Sequence, residues 1–152
     1  MGKEISKNEV LTLIPQRPPF RFVDEILELD EDHVISIYRW SEDHEFYKGH
    51  FPGNPVTPGV LLVESMAQAA VIPLALYSWS KEVGREGLSS LTTLFTDVEV
   101  EFSGVVRPGD RVTISGNKAF YRRKKLRAVC EMRLDNGTVV CSGNLSGIGV
   151  QL

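Results

Sequence analysis

Residues Thr57 to Trp79 read TPGVLLVESMAQAAVIPLALYSW, and this stretch decides the fold. Thr57 is placed to cap a helix, Pro58 suits its first position because its φ is already set, and Gly59 follows. From Val60 to about Trp79 the residues are apolar almost all round, which marks a helix enclosed on every side. Pro73 has no N–H to give, so a kink is expected about two-thirds of the way along. Glu64, Gln68 and Pro73 interrupt the apolar run from Val60 to Leu76. A membrane span needs about 18 or more apolar residues with few or no charges, so a core helix is expected and no membrane association.

The flanking sequence supplies the cover. Lys7 to Ile14 has a short helical pattern with Ser6 as its cap, and Pro15, Pro18 and Pro19 then hold an extended segment. Phe20 to Leu29 and His33 to Trp40 read as strands joined by the acidic turn Asp30-Glu31-Asp32. Beyond the helix, Gly84 and Gly87 punctuate a loop. Strand patterns follow at Leu94 to Phe102, around Val112 and Ile114, at Leu126 to Leu134, and from Val139 to Leu145. A flat sheet cannot enclose an all-apolar helix. The expected fold is therefore α+β, a curved antiparallel sheet wrapped around one long central helix.

The remaining composition is ordinary. The chain has 152 residues with 17 Lys+Arg against 20 Asp+Glu, a net charge of −3, which fits one domain over 1–152 and argues against a nucleic-acid binder driven by bulk positive charge. Met1 to Val10 has no basic stretch feeding an apolar run, so no secretory signal is read there. Asp135-Asn136-Gly137-Thr138 reads as a two-residue hairpin turn. That register sets Cys141 opposite Met132 and Cys130 opposite Gly143. The two cysteines are then diagonal neighbours on one apolar face, read as reduced core residues of a cytoplasmic protein.

Three residues in and beside the Gly/Pro-dense stretch Gly49–Gly59 could carry chemistry. His50 is held by a rigid loop, as a base must be, although a loop histidine without a role has the same pattern. Glu64 falls in the second turn of a helix with almost no polar face, where a carboxylate needs a partner or an edge. Gly59 has a backbone N–H without an intrahelical acceptor and no side chain to bar an approaching group. Together they offer a base, an acid and an oxyanion donor, the set needed to remove a proton alpha to a carbonyl while a beta-hydroxyl departs. His33, His44 and His50 lack metal-ligand spacing, so no metal is expected. Arg122, Arg123, Lys124, Lys125 and Arg127 form a basic cluster, either a solvated strand end or a dock for an acidic partner.

Gly49-His50-Phe51-Pro52-Gly53-Asn54-Pro55-Val56-Thr57-Pro58-Gly59-Val60-Leu61, followed by Glu64-Ser65-Met66-Ala67-Gln68, resembles the 3-hydroxyacyl-acyl-carrier-protein dehydratases of FabZ type. Leu13 to Phe20 with Val23-Asp24, and Val106-Arg107-Pro108-Gly109-Asp110, resemble two further segments of that family, so the likeness spans about Leu11 to Leu145. The resemblance implies a hotdog fold and a homodimer, commonly assembled into hexamers, with each site completed across the dimer interface. It implies His50 as catalytic histidine on one subunit and Glu64 as catalytic carboxylate on the other. Gly59 becomes the amide that binds the thioester carbonyl, acyl carrier protein the partner, and no cofactor is needed. Two departures stand out: Gln16 where the family usually has His, and Ser103 where a basic residue usually follows Phe. A hotdog thioesterase and a non-catalytic acyl-binding subunit are the alternative readings.

Overall fold

A computed structural model describes residues 4–152; Met1 to Lys3, and with them the start of the N-terminal reading and of the 1–152 domain, lie outside the described residues. Helix α1 (Lys7–Leu13) starts as expected at Ser6, with a reciprocal cap: the Ser6 hydroxyl accepts from Glu9 N–H, and the Glu9 carboxylate accepts from Ser6 N–H. Strands β1 (Glu25–Leu29) and β2 (His33–Arg39) follow, and a 3₁₀ turn at Glu45–Lys48 leads into the Gly/Pro-rich loop. The first strand is shorter than Phe20 to Leu29. Phe22 N–H donates to Gln68 Oε1 at 2.7 Å and its carbonyl accepts from Ser65 Oγ at 2.8 Å. Those backbone groups are thus satisfied by the central helix, and no ladder forms there.

The helical stretch Gly59–Leu88 has three parts: α2 (Gly59–Met66), a π segment (Ala67–Val71) and α3 (Ile72–Leu88). Pro58, one residue later than expected, is the N-cap, and Thr57 instead pairs its hydroxyl with Tyr47 Oη at 2.6 Å. The helix absorbs Pro73 through the π segment just before it, where Ile72 N–H reaches back five residues to the Ala67 carbonyl. The carbonyl that residue 73 would have bonded, that of Ala69, accepts from the buried Ser36 hydroxyl at 2.7 Å. Helix α3 continues past Trp79 to Leu88, with a break at Gly84 (φ 70°), where a loop was expected. The apolar pattern ends at Trp79 because burial ends there, while the backbone continues as a mostly exposed polar helix. Of the most apolar window in this 30-residue stretch, 72% is buried inside the protein, which makes it a core helix.

Strands β3 (Thr92–Phe102), β4 (Arg111–Arg122), β5 (Lys125–Leu134) and β6 (Val139–Val150) complete one antiparallel sheet in the order β1-β2-β4-β5-β6-β3. The helical stretch carries the chain from β2 to the far edge, so β3 has one free side among the described residues. Register shifts in β1/β2, β3/β6, β4/β5 and β5/β6 bend the strands around the helix. Contact is close at Gly116, where a Cβ would lie 2.7 Å from Ala70 Cβ; only glycine lets the helix come so near. Leu126, Ala128, Cys130, Met132 and Leu145 are buried on the inner face. This is the curved-sheet-and-helix arrangement expected.

The last hairpin keeps its expected register, with Met132 opposite Cys141 and Cys130 opposite Gly143. Its turn is wider by one residue. Leu134 N–H bonds Thr138 O, Gly137 N–H bonds Leu134 O, and Gly137 takes φ 88°, so three residues form the loop. Both cysteines are free thiols, and burial pushes each up to about 12.

Candidate active site

The loop from Gly49 to Pro58 is stapled at both ends. His50 N–H donates to Phe46 O, Val56 N–H to His50 O, and Thr57 N–H to Val106 O. His50 Nδ1 lies 2.8 Å from Val56 O. A carbonyl only accepts, so Nδ1 carries a proton, and in the neutral ring Nε2 is the nitrogen with the lone pair. The Phe51 ring stacks on the imidazole with centroids 4.2 Å apart. The sequence thus supplies an oriented base through a local backbone acceptor.

Gly59 opens α2, and its N–H has no hydrogen-bond acceptor among the described residues. A Cβ there would fall 3.0 Å from Cε1 of Phe102, so the bare backbone and the half-exposed Phe102 ring share one small space. Val60 and Phe51, on either side of this feature in sequence, are 76% and 54% exposed, which leaves an uncovered apolar rim around the loop and helix start.

Glu64 is partly buried and points its Oε1 at Gln68 Nε2, 3.0 Å away. Burial pushes its pKa up, and the Gln68 hydrogen bond pulls it partly back. With Oε1 accepting from Gln68, the proton of the neutral acid belongs on Oε2. Gln68 itself is fully buried, and its amide is fixed by three partners: Oε1 accepts from Phe22 N–H, while Nε2 serves both Phe20 O and Glu64. Sequence reasoning left Gln68 out of the site. Its spacing of four from Glu64 on a helix was the available signal. Replacing Gln68 with Leu strands the buried Phe22 N–H, at a cost of roughly 1–3 kcal/mol. A domain of this size is expected to lose about 2–4 °C of Tm per kcal/mol, read in a thermal melt.

Glu64 also lines a cavity of about 170 Å³ whose walls include Gln16, Ala67, Trp79, Leu94 and Phe95. His50 and Gly59 are not among its lining residues, and no hydrogen bond joins His50 to Glu64. One chain therefore brings Glu64, Gln68 and Gln16 together and holds His50 separately with Val56. The other two histidines are engaged elsewhere: His33 Nδ1 lies 2.8 Å from Asp30, and His44 Nε2 lies 2.8 Å from the Tyr38 hydroxyl.

The basic cluster is the β4–β5 turn. Arg123 and Lys124 occupy its two central positions with φ 51° and 63°. Lys125 and Arg127 are committed to Asp97, at 3.2 and 2.9 Å, and Arg127 also reaches Ser146. Hydrogen bonding from Ser146, then Lys125 and Arg127, holds the Asp97 carboxyl down at about 2. Arg122, Arg123 and Lys124 make no ion pair among the described residues. The turn stands near the Trp79 end of the cavity: Gly149 N–H bonds Lys124 O, and the Trp79 ring packs on Gly149. Ser103 joins the end of β3 to β6 through two bonds, N–H to Val140 O and Oγ to Val139 O.

Residues 14–143 match the model of the FabA-like domain. The chain is 36% identical to the 3-hydroxyacyl-[acyl-carrier-protein] dehydratase FabZ of Caldicellulosiruptor saccharolyticus over 142 residues, covering 90% of this chain and 92% of that one. It is 34% identical to the Legionella pneumophila FabZ over 147 residues, covering 95% and 94%. Among solved structures, the dehydratase heterocomplex ApeI:P from Xenorhabdus doucetiae matches with a TM-score of 0.76 at 20% identity, over 93% of this chain and 91% of that chain. A Streptococcus pneumoniae hypothetical thioesterase solved with coenzyme A matches at 0.58 and 15% identity, over 84% and 85%. At those identities the structural likenesses speak to the fold alone.

Proposed function

The chain belongs to the FabA-like family, with the FabZ 3-hydroxyacyl-acyl-carrier-protein dehydratases as its relatives, and from that premise we propose that it removes water from 3-hydroxyacyl thioesters on acyl carrier protein. The observation that carries the reading is the pairing of opposite chemistries: an imidazole whose Nε2 is free, and a carboxyl biased by burial toward its neutral form.

His50 Nε2 takes the proton alpha to the thioester carbonyl. The Gly59 N–H stabilises the oxyanion that develops there. As the Cα–Cβ double bond forms, the Cβ–O bond breaks and Glu64 Oε2 gives its proton to the departing hydroxyl, which leaves as water. The cavity beyond Glu64 takes part of the acyl thioester.

The site is shared between two copies of the chain, His50 of one facing the partner subunit's Glu64. In support, β3 is an edge strand of 11 residues with Leu94, Phe95, Val98 and Phe102 exposed, beside the exposed Val60 and Phe51. A long apolar edge of this kind needs covering, and a two-fold pairing of identical edges covers it with itself. The single domain works in the cytoplasm with its thiols reduced. The carrier docks at Arg122, Arg123 and Lys124, the cations of the turn left free of ion pairs.

The direct assay follows enoyl-thioester absorbance and free thiol together, on 3-hydroxybutyryl-acyl carrier protein. Enoyl product without thiol release supports dehydration. Thiol release would move the assignment to a thioesterase, and binding without turnover to a non-catalytic subunit.

A further inference from the structure

Gln16 holds an unpaired acceptor in the wall of the Glu64 cavity. Its side-chain Oε1 is buried and has no hydrogen-bond partner, and its amide makes no bond to Glu64 or to any other described residue. The backbone is a separate matter: the Gln16 carbonyl accepts from Arg17 and Arg21, whose guanidiniums also bond the carbonyls of Thr12 and Leu11. The segment is therefore held without help from the side chain. An orphaned amide oxygen in a largely apolar cavity is costly unless an occupant brings a donor.

We infer that Gln16 binds substrate, its Oε1 accepting the hydrogen of the 3-hydroxyl group. This rests on the dehydratase reading and assigns the recognition of that hydroxyl. The chemistry explains the need. A hydroxyl has one hydrogen and two lone pairs, and to leave as water it must turn a lone pair toward the acid. Glu64 Oε1 is taken by Gln68, so only Oε2 can give the proton. If the substrate O–H pointed at Glu64, two hydrogens would face each other. An acceptor on another wall draws that hydrogen away and leaves a lone pair for Oε2–H. After C–O cleavage the same acceptor holds one hydrogen of the new water, while the Glu64 carboxylate faces the other. The terminal torsion of a glutamine side chain is soft, so the amide turns to meet the hydroxyl at little cost.

The inference separates two ligands that differ by one atom. A 3-hydroxyacyl thioester and its saturated analogue, without the hydroxyl, fill the cavity alike, and only the first can use Gln16. In Gln16→Leu, which keeps an apolar side chain of similar reach, kcat/KM for dehydration is expected to fall roughly 10–100-fold. The inhibition constant of the saturated butyryl thioester should stay within about twofold of wild type. Gln16→His, which offers a ring-nitrogen acceptor, should recover most of the loss. Equal weakening of both ligands in Gln16→Leu would assign Gln16 to cavity shape and overturn the inference, as would an unchanged kcat/KM. Wild-type protein that binds both thioesters but turns over neither would count against the dehydratase reading instead. In that case preferential loss of 3-hydroxyacyl binding in Gln16→Leu would still uphold the contact, and parallel binding of the two ligands would refute it.

Discussion

His50→Ala should lower kcat/KM for dehydration by roughly 10²–10⁴-fold, the usual contribution of a positioned general base. The protein should remain folded, because the loop is held mainly by backbone bonds that the substitution leaves in place: His50 N–H to Phe46 O, and Val56 N–H to His50 O. The one bond lost is from Nδ1 to Val56 O. His50→Asn separates structure from chemistry. Its amide can still donate toward Val56 O but offers no base, so it should melt like wild type and be as inactive as the alanine variant. Activity in His50→Asn near the wild-type level would remove His50 from the reaction.

Glu64→Gln should cost a similar factor of roughly 10²–10⁴, since the amide fills the same space but cannot give a proton. Its pH behaviour carries more information. Burial raises the Glu64 pKa in the folded protein, against a smaller opposing effect from Gln68. The acid must be protonated to work, so wild-type kcat/KM should fall as pH rises through that raised value. The residual rate of Glu64→Gln should lack this limb.

Stability should change in the same window. Below the ordinary carboxyl pKa both folded and unfolded states hold the proton, and the native state is unpenalised. As pH rises the unfolded chain ionises first, and the folded protein loses stability until pH passes the raised value. Glu64→Gln has no such loss, so its Tm relative to wild type should increase with pH. Thermal melts across that range read the effect, and a difference independent of pH would contradict the burial account.

Much of this could be read from the residues. The mostly apolar run from Val60 to Trp79 made an enclosed helix necessary, and Asn136-Gly137 gave a hairpin register that the β5–β6 strand pairing reproduces. His50 and Glu64 stood out because a Gly/Pro-rigid loop and an apolar helix are unusual settings for them. What was not legible depends on contacts distant in sequence. Gln68 looked like an interruption of an apolar run until Phe22 and Phe20 were seen to bond it from 46 and 48 residues away. That same clamp, with Ser65, removed Phe20 to Phe22 from the first strand. Pro73 signalled a disturbance, yet its resolution as a π segment needs the Ser36 hydroxyl, which no local pattern reveals. The basic cluster read as five equivalent charges, because nothing local assigns Asp97 to Lys125 and Arg127.

The base and the acid of each site should come from different copies of the chain. Co-expressing His50→Ala and Glu64→Gln subunits under separate tags, and isolating the doubly tagged oligomer, tests it most directly. In a mixed dimer one site combines both lesions and the other has neither, so unselected random pairing should restore about one quarter of wild-type turnover, and purified mixed dimers about one half. Mixed dimers no more active than either parent would contradict the shared site and place His50 and Glu64 in separate roles.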